Sequence, residues 1–433
     1  MDKKTKTILG VVIIVVIIAA ILFIWSYFFI FNNGNVSEDV IKSEIDEYLL
    51  SKKDSETESS ITKSGSALLY DNNKVTYITK SDKVYEAELE NNKIKSFKLS
   101  DTKEGQFYNS VHPEKHIPTG FKHTIGDWNT GYVIEDSEKN EFVWIPVASS
   151  SSYKKRAGHQ DWAMTVDSIG SENIEEEVKG DKLGVTEILG VKVEDSETAV
   201  LPEAEIVNKA GGFWLGRYEA GVDSSEEAFD INWEKAKVLE KANVQPARCV
   251  PAEMYLKIAN NWKSGKADSS KNTVAFQSGL VTGTQWDVAC EFIGWDIANS
   301  DCSEWGCYAS VQSQKYTGYH SSDKSSNWIY EENVVKEGAV VDETNPLADG
   351  KGWVFPTGKF VNSNGGNTSK KNIFDMAGNV WEWTTEIPIH VSENSYVVRG
   401  GCAGDPGVFC ASARYGGPWY SWNIGFRMVL YVE

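Results

Sequence analysis

Positive charge is what this chain is short of. Its 433 residues include 43 Lys and Arg against 62 Asp and Glu, a formal net charge of −19. That balance repels a phosphate backbone, and no stretch of sequence concentrates Lys and Arg enough to reverse it, so nucleic acid is excluded as a partner. Histidine is scarce too, with six along the chain. His112 and His116 are close in sequence, but Pro113 lies between them and no further ligand is at hand, which argues against a histidine metal site. There is no Gly-rich phosphate loop, no nucleophile elbow and no zinc-binding His pair, and the enzyme classes those motifs announce drop out with them. No internal repeat is visible. Cysteine is restricted to six positions: Cys249, Cys290, Cys302, Cys307, Cys402 and Cys410.

Aromatic residues are the opposite case. The chain has sixteen Trp, concentrated in its C-terminal two thirds, which points to a Trp-rich globular module. The other abundance is at the N-terminus, where residues 8–31 form one apolar run without a charge, long enough to cross a bilayer. Lys3, Lys4 and Lys6 precede it, while Glu38 and Asp39 follow. The run is too long for a cleavable signal peptide and lacks a small-residue cleavage site. The expectation is a single-pass signal anchor in the cell membrane, N-terminus cytoplasmic and C-terminal domain extracellular. All six cysteines then face a compartment where disulfides persist. Proximity favours a Cys302–Cys307 bridge, worth roughly 2 kcal/mol by loop entropy, and a Cys402–Cys410 bridge as a staple. Cys290 reads equally well as a core thiol.

Beyond the anchor, residues 36–50 read as a short helix capped by Ser37, with Ile41, Ile45 and Leu49 on one face. Residues 51–66 are polar and read as a flexible linker, closing a stalk over 36–66. Residues 67–110 alternate as short strands parted by Asn-Asn turns, a small antiparallel β module. From 111 to 433 the pattern is that of a mixed domain, α+β in class. Strands are expected at NEFVWIPV and GGFWLGRYE. Between them, residues 148–210 are polar and acidic and read as a solvated insertion with one acidic helix around 174–179. Two helices follow. The first starts at Ala252 after Pro251 with Tyr255, Ala259 and Trp262 on one face. The second is capped by Thr282 or Thr284, with Trp286, Cys290 and Ile293 on one face.

The chain is organised around residues 372–430. There NIFDMAGNVWEWTTE leads to VVRGGCAGDPGVFCASARYGGPWYSWNIGFRMVL. Gly378, Gly400–Gly401 and Gly425 punctuate short aromatic segments. Asp375, Asn379 and Glu382 are oxygen donors beside the first turn. They suit either a hard cation or the capping of backbone amides. Between Gly401 and Asn423 lie Asp405, Phe409, Tyr415, Trp419, Tyr420 and Trp422 among Gly and Pro. Rigid aromatics on a turn scaffold form a recognition surface in composition, with core packing as the rival.

GNVWEW, then RGG, then NIGFR, in that order, resembles the formylglycine-generating-enzyme (sulfatase-modifying factor) family over about residues 117–432, with the acidic insertion as an exception. The resemblance implies a C-type-lectin-like fold. It also implies a Ca2+ site to which Asn379, the Val380 carbonyl and Glu382 contribute. Enzymatic members oxidise a substrate cysteine with O2 at copper held between two cysteines spaced C-x4-C. Here Cys402 and Cys410 are spaced C-x7-C, while Cys302 and Cys307 have the family's spacing but precede the motif, so copper is not expected. A second enzymatic branch needs a His-rich iron site that this chain lacks. The segment between RGG and GFR also resembles the variable region of retroelement-diversified lectin-fold proteins. The leading expectation is therefore a membrane-anchored binding protein, recognising a protein or glycan through Asp405, Tyr415, Trp419, Tyr420 and Trp422. A formylglycine-type oxidase using Cys402 and Cys410, and a purely structural surface protein, are the alternatives.

Overall fold

The computed structural model describes residues 36–52, 57–100, 102–157, 178–194, 203–223, 230–250, 252–300, 316–320, 328–332, 357–358, 368–388, 396–402, 410–417 and 423–433. The expected membrane span at 8–31 lies outside them. Among the described residues no helix is long and apolar enough to cross a membrane. The chain divides into two compact units, 1–104 and 105–433.

In the first unit, Ser37 accepts from the Val40 amide and starts α1 (Glu38–Ser51), whose first turn carries Glu38 and Asp39. Ile41, Ile45 and Leu49 recur every fourth residue and are buried. They pack with Leu68, Tyr70, Val75, Tyr77, Tyr85 and Leu89. Those residues come from an antiparallel meander, β1 (Thr57–Ile61), β2 (Ala67–Asp71), β3 (Lys74–Ile78), β4 (Val84–Glu90) and β5 (Lys93–Ser100), paired in sequence order. Asn91 and Asn92 join β4 to β5 with φ of 53° and 57°, the left-handed pair that a two-residue hairpin turn requires. Two expectations are corrected here. The 51–66 stretch supplies β1, so it is not a linker throughout, and α1 is no free stalk. Its Glu44 carboxylate is buried, taking the Tyr77 hydroxyl and the Ser64 amide (2.7 Å).

The second unit opens with α2 (Gln106–Ser110) and is built on a seven-stranded sheet. Its order is β16 (Ser264–Gly265), β17 (Phe276–Leu280), β25 (Met428–Val432), β12 (Gly212–Gly216), β8 (Glu141–Pro146), β7 (Val133–Glu135) and β6 (Lys122–Ile125). The last strand of the chain thus lies inside the sheet, antiparallel to both β17 and β12. The period-2 alternation of strands sorts the side chains into two cores. Phe142, Trp144, Trp214, Met428, Leu430 and Val432 join one apolar cluster, and Val143, Ile145, Phe213, Leu215, Val429 and Tyr431 join the other. This is why β8, β12 and β25 read as continuous apolar runs: they are buried on both faces.

The second core also holds α3 (Ala204–Ala210) and α5 (Gly283–Ile293), through Ile206, Val207, Trp286, Cys290 and Ile293. Thr282 caps α5 in a capping box with Gln285: Thr282 Oγ1 accepts from the Gln285 amide (3.0 Å), and Gln285 Oε1 from the Thr282 amide (2.9 Å). The first core holds α4 (Ala252–Asn260), through Tyr255 and Ala259, and a second sheet. That sheet runs β23 (Arg414–Gly417), β22 (Tyr396–Arg399), β20 (Trp381–Trp383) and β24 (Ile424–Phe426), with β20 and β24 parallel. Smaller pieces complete the domain. β9 (Val178–Asp181) pairs with β21 (Glu386–Pro388), β10 (Glu187–Ile188) with β11 (Val191–Lys192), and β18 (Tyr316–His320) with β19 (Trp328–Glu332). β13 (Gly221–Val222) lies between β14 (Val238–Leu239) and β15 (Gln245–Pro246), and α6 (Trp295–Ala298) follows α5.

The described parts of 148–210 are not the solvated insertion their charge suggested. Tyr153, Leu183, Ile188, Val193, Ile206 and Val207 are buried in the second core, and residues 178–179, placed in an acidic helix, are in β9. Residues 174–177 lie outside the described set. Composition failed because apolar side chains far apart in this segment, Tyr153, Leu183, Ile188, Val193, Ile206 and Val207 among them, meet in one cluster.

Candidate functional site

The strands β22 and β23 bracket residues 400–413, and their register sets Arg399 directly opposite Arg414. Like charges across a strand pair repel, so the arrangement needs shared counter-charges. Asp287, on α5, supplies one: Oδ1 accepts from Arg399 Nη2 (2.6 Å) and Oδ2 from Arg414 Nη2. Glu386, at the start of β21, supplies the other. Its Oε2 accepts from Arg399 Nη1 (3.3 Å) and its Oε1 from Arg414 Nε (3.2 Å). Gly283 is required beside it, since a Cβ there would fall 1.9 Å from the Glu386 carboxyl carbon. Lys155 Nζ lies 2.7 Å from Asp181 Oδ2 and 3.6 Å from Glu386 Oε1. Arg399 also donates to the carbonyls of Ser412 (3.0 Å) and Ala413 (3.1 Å) and so ties down the far end of the bracketed segment.

Glu203 extends this lattice, its Oε1 accepting from the Tyr153 and Thr282 hydroxyls at 2.7 Å each. Three cations, Lys155, Arg399 and Arg414, therefore meet four carboxylates, Asp181, Glu203, Asp287 and Glu386, all essentially without solvent contact. Burial acts to raise the Glu386 carboxyl, but Arg414, Arg399 and Lys155 outweigh it and hold Glu386 down to about 2. Glu203 is pushed the other way, by burial and then by the Asp181 charge.

A second buried lattice lies under the GNVWEW turn. The Arg427 guanidinium faces Glu382 side-on, Nε to Oε2 at 2.9 Å and Nη2 to Oε1 at 2.6 Å. It also donates to the Gly216 and Phe374 carbonyls, both at 2.9 Å. Glu219 receives the Asn379 side-chain amide (2.6 Å) and the Val380 backbone amide (3.1 Å). Glu240 Oε1 takes the Met428 amide at 2.7 Å. Asp375 takes the Thr368 hydroxyl (2.6 Å) and the Gly358 amide (2.8 Å). Asp375 and Asn379 hold the turn with φ of 57° and 60°, a conformation that Asp and Asn adopt more readily than other side chains with a Cβ.

Residues 230–432 match the model of the sulfatase-modifying factor enzyme 1-like domain. This region belongs to the sulfatase-modifying-factor family. No curated protein matches the chain. Among solved structures it is similar to that of PvdO from Pseudomonas aeruginosa, at 15% identity and a TM-score of 0.32, the match covering 69% of this chain and 97% of that one.

The sulfatase-modifying-factor domain distributes the expected site residues unevenly. Asn379, Val380 and Glu382 do come together, but as a protein-partnered turn. Both Glu382 oxygens face a guanidinium, and the Asn379 amide nitrogen is spent on Glu219. A hard cation needs several oxygens turned inward, and Glu382, with both of its oxygens on Arg427, does not supply one here. Arg427 is the cation of the site. Among the described residues no group of three His, Cys, Asp or Glu could hold a metal.

The cysteine expectations are also corrected. Cys402 and Cys410 are both buried but are not joined, and they belong to different apolar clusters. Cys402 Sγ accepts from Asn423 Nδ2 at 3.3 Å, while Cys410 Sγ is 3.2 Å from the Ser412 hydroxyl. Gly400 and Gly401, with φ of 87° and 72°, turn the chain so that the two thiols enter separate cores. They form neither a staple nor a two-thiolate copper centre. Burial pushes the Cys410 thiol up, away from the thiolate a soft metal needs. Tyr415 is half-buried, its ring 6.1 Å from that of Trp381. Asp405, Phe409, Trp419, Tyr420, Trp422, Cys302 and Cys307 lie outside the described residues. Sequence reading missed Lys155, Asp181, Glu203, Asp287 and Glu386. One signal existed: Asp287 follows Trp286 within the apolar helix pattern, where a charge needs a partner.

Proposed function

We propose that this sulfatase-modifying-factor domain is a binding module in a membrane-anchored chain, facing outward, and that it recognises a protein or glycan through the segments at 403–409 and 418–422. One observation carries the reading. Both segments leave the same four-stranded sheet, and the ends of the first are clamped by Arg399 and Arg414 on Asp287 and Glu386. A rigid base lowers the ordering cost of binding. The separate burial of Cys402 and Cys410 argues against the oxidase alternative.

The test is binding of the full chain to arrays of glycans and of purified surface proteins, repeated with Trp419→Ala and Tyr420→Ala. Binding should be lost in either variant while the melting temperature stays close to that of the parent. If these residues were core instead, each alanine would cost about 3 kcal/mol or more and the melting temperature would report it. Aldehyde formation on a cysteine-containing peptide by the copper-loaded chain, abolished by Cys402→Ser or Cys410→Ser, would overturn the proposal.

A further inference from the structure

A cleft of about 490 Å3 opens between β14 and α4, on the second unit. That volume falls in the range of small-molecule sites. Its floor is apolar and aromatic: Trp233, Val238, Met254, Ile258 and Trp262. The floor is held in place. Trp262 Nε1 donates to the Val238 carbonyl at 2.8 Å, and its ring lies against Phe142, centroids 5.6 Å apart. Trp233 is buried, and its indole N–H is without an acceptor.

The rim carries both signs. In a chain of net charge −19, the lining holds three lysines, Lys237, Lys257 and Lys263, against two glutamates, Glu138 and Glu234. Glu138 is already engaged by Lys237 and by Lys263, the latter at 2.8 Å, and Lys263 also reaches Asp136 at 2.6 Å. Lys257 is exposed on α4, and no carboxylate among the described residues pairs with it. One uncommitted ammonium at the edge of an aromatic floor is complementary to a single anionic group on an apolar body. Glu234, also on the rim, makes a dianion a poorer match than a monoanion.

We propose that this cleft binds a small organic monoanion with an apolar body, of which an aryl-alkyl carboxylate is the simplest form, with its carboxylate on Lys257 and its apolar part over Met254, Ile258 and Trp262. Its lining among the described residues takes nothing from the C-terminal segments, and the probes differ from those of the binding-module test, so failure of the one reading leaves the other untouched.

The probes are phenylbutyrate and its neutral counterpart phenylbutanol, titrated into the full chain by calorimetry. The acid should bind saturably in the millimolar range or below, and about tenfold more tightly than the alcohol, the usual worth of a charge-assisted hydrogen bond. Lys257→Ala, at an exposed position, should bring the acid down to the alcohol's affinity, and Lys257→Arg should keep the preference. Ile258→Trp should fill the cleft and remove binding of both. Absence of saturable binding would overturn the proposal. So would equal affinity for acid and alcohol in the parent, or an acid preference that survives Lys257→Ala.

Discussion

Arg399 and Arg414 would repel one another across the β22–β23 pair if Asp287 did not take a hydrogen bond from each. A buried ion lattice of this kind returns little net stability, because desolvation offsets attraction. What it gives is position: two strand ends fixed relative to α5 and β21. The Arg427 lattice differs in its balance. Four fully buried carboxylates, Glu219, Glu240, Asp375 and Glu382, meet one guanidinium. Burial raises Glu219 and Glu240 well above the ordinary carboxylate range; Asp375 and Glu382 add to this at Glu219, whereas Arg427 works against it. Each such group therefore keeps its proton to higher pH in the fold than in the unfolded chain. Its stabilisation is complete below the unfolded value and is lost as pH rises through the folded one, at up to about 1.4 kcal/mol per pH unit. Glu386 has the opposite sign: its contribution is present above about 4.5 and lost as pH falls toward about 2. Glu240→Gln should accordingly flatten the alkaline side of the melting-temperature profile and leave the mildly acidic side in place. Parallel profiles for parent and variant would mean that Glu240 is charged in the fold.

At the scale of an element, α5 shows how one residue joins local and tertiary demands. Thr282 accepts from the Gln285 amide as N-cap and donates to Glu203 at 2.7 Å. Thr282→Ala removes both bonds and should destabilise the domain by about 2 kcal/mol or more, the upper end for a lost cap. Thr282→Ser keeps the hydroxyl and should recover most of that in a urea titration. An alanine effect below about 0.5 kcal/mol would show that the cap and the Glu203 bond carry no net stability. Helix α1 has no comparable tie to a charged lattice. Its stability comes from Ile41, Ile45 and Leu49 on the meander, an apolar face that the sequence displays openly.

At the scale of the whole molecule, the second unit closes on its own C-terminus. β25 is buried throughout, pairs with β12 on one side and β17 on the other, and is preceded by Arg427. Deleting residues 427–433 should leave the second unit unable to fold. The near-ultraviolet dichroism of the Trp-rich core is the measurement, and a native-like signal from the truncated chain would contradict the topology. The same closure explains why the continuous apolar run at the C-terminus is needed. Alternation along β8, β12 and β25 places one residue in each core in turn, so neither face tolerates a polar residue.

The sequence by itself determined what depends on neighbours along the chain: the spaced apolar face of α1, the Asn91–Asn92 turn, the cap at Thr282, the helix after Pro251, and the GNVWEW, RGG and GFR turns that carry the family. These are short-range effects of backbone sterics, capping and periodicity. Only the tertiary structure decided the rest. Asp287 with Arg399, Glu382 with Arg427, and Lys155 with Asp181 are pairs between residues 26 to 112 positions apart, and beyond the place of Asp287 in an apolar helix pattern nothing local marks these charges as destined for burial. The acidic stretch at 148–210 read as solvated because charge density was judged along the sequence, whereas its cost is set by what surrounds each group in space. Cys402 and Cys410 read as partners for the same reason. Eight residues apart, they were close as letters, but the turn at Gly400–Gly401 and the division into two cores send their thiols to different places.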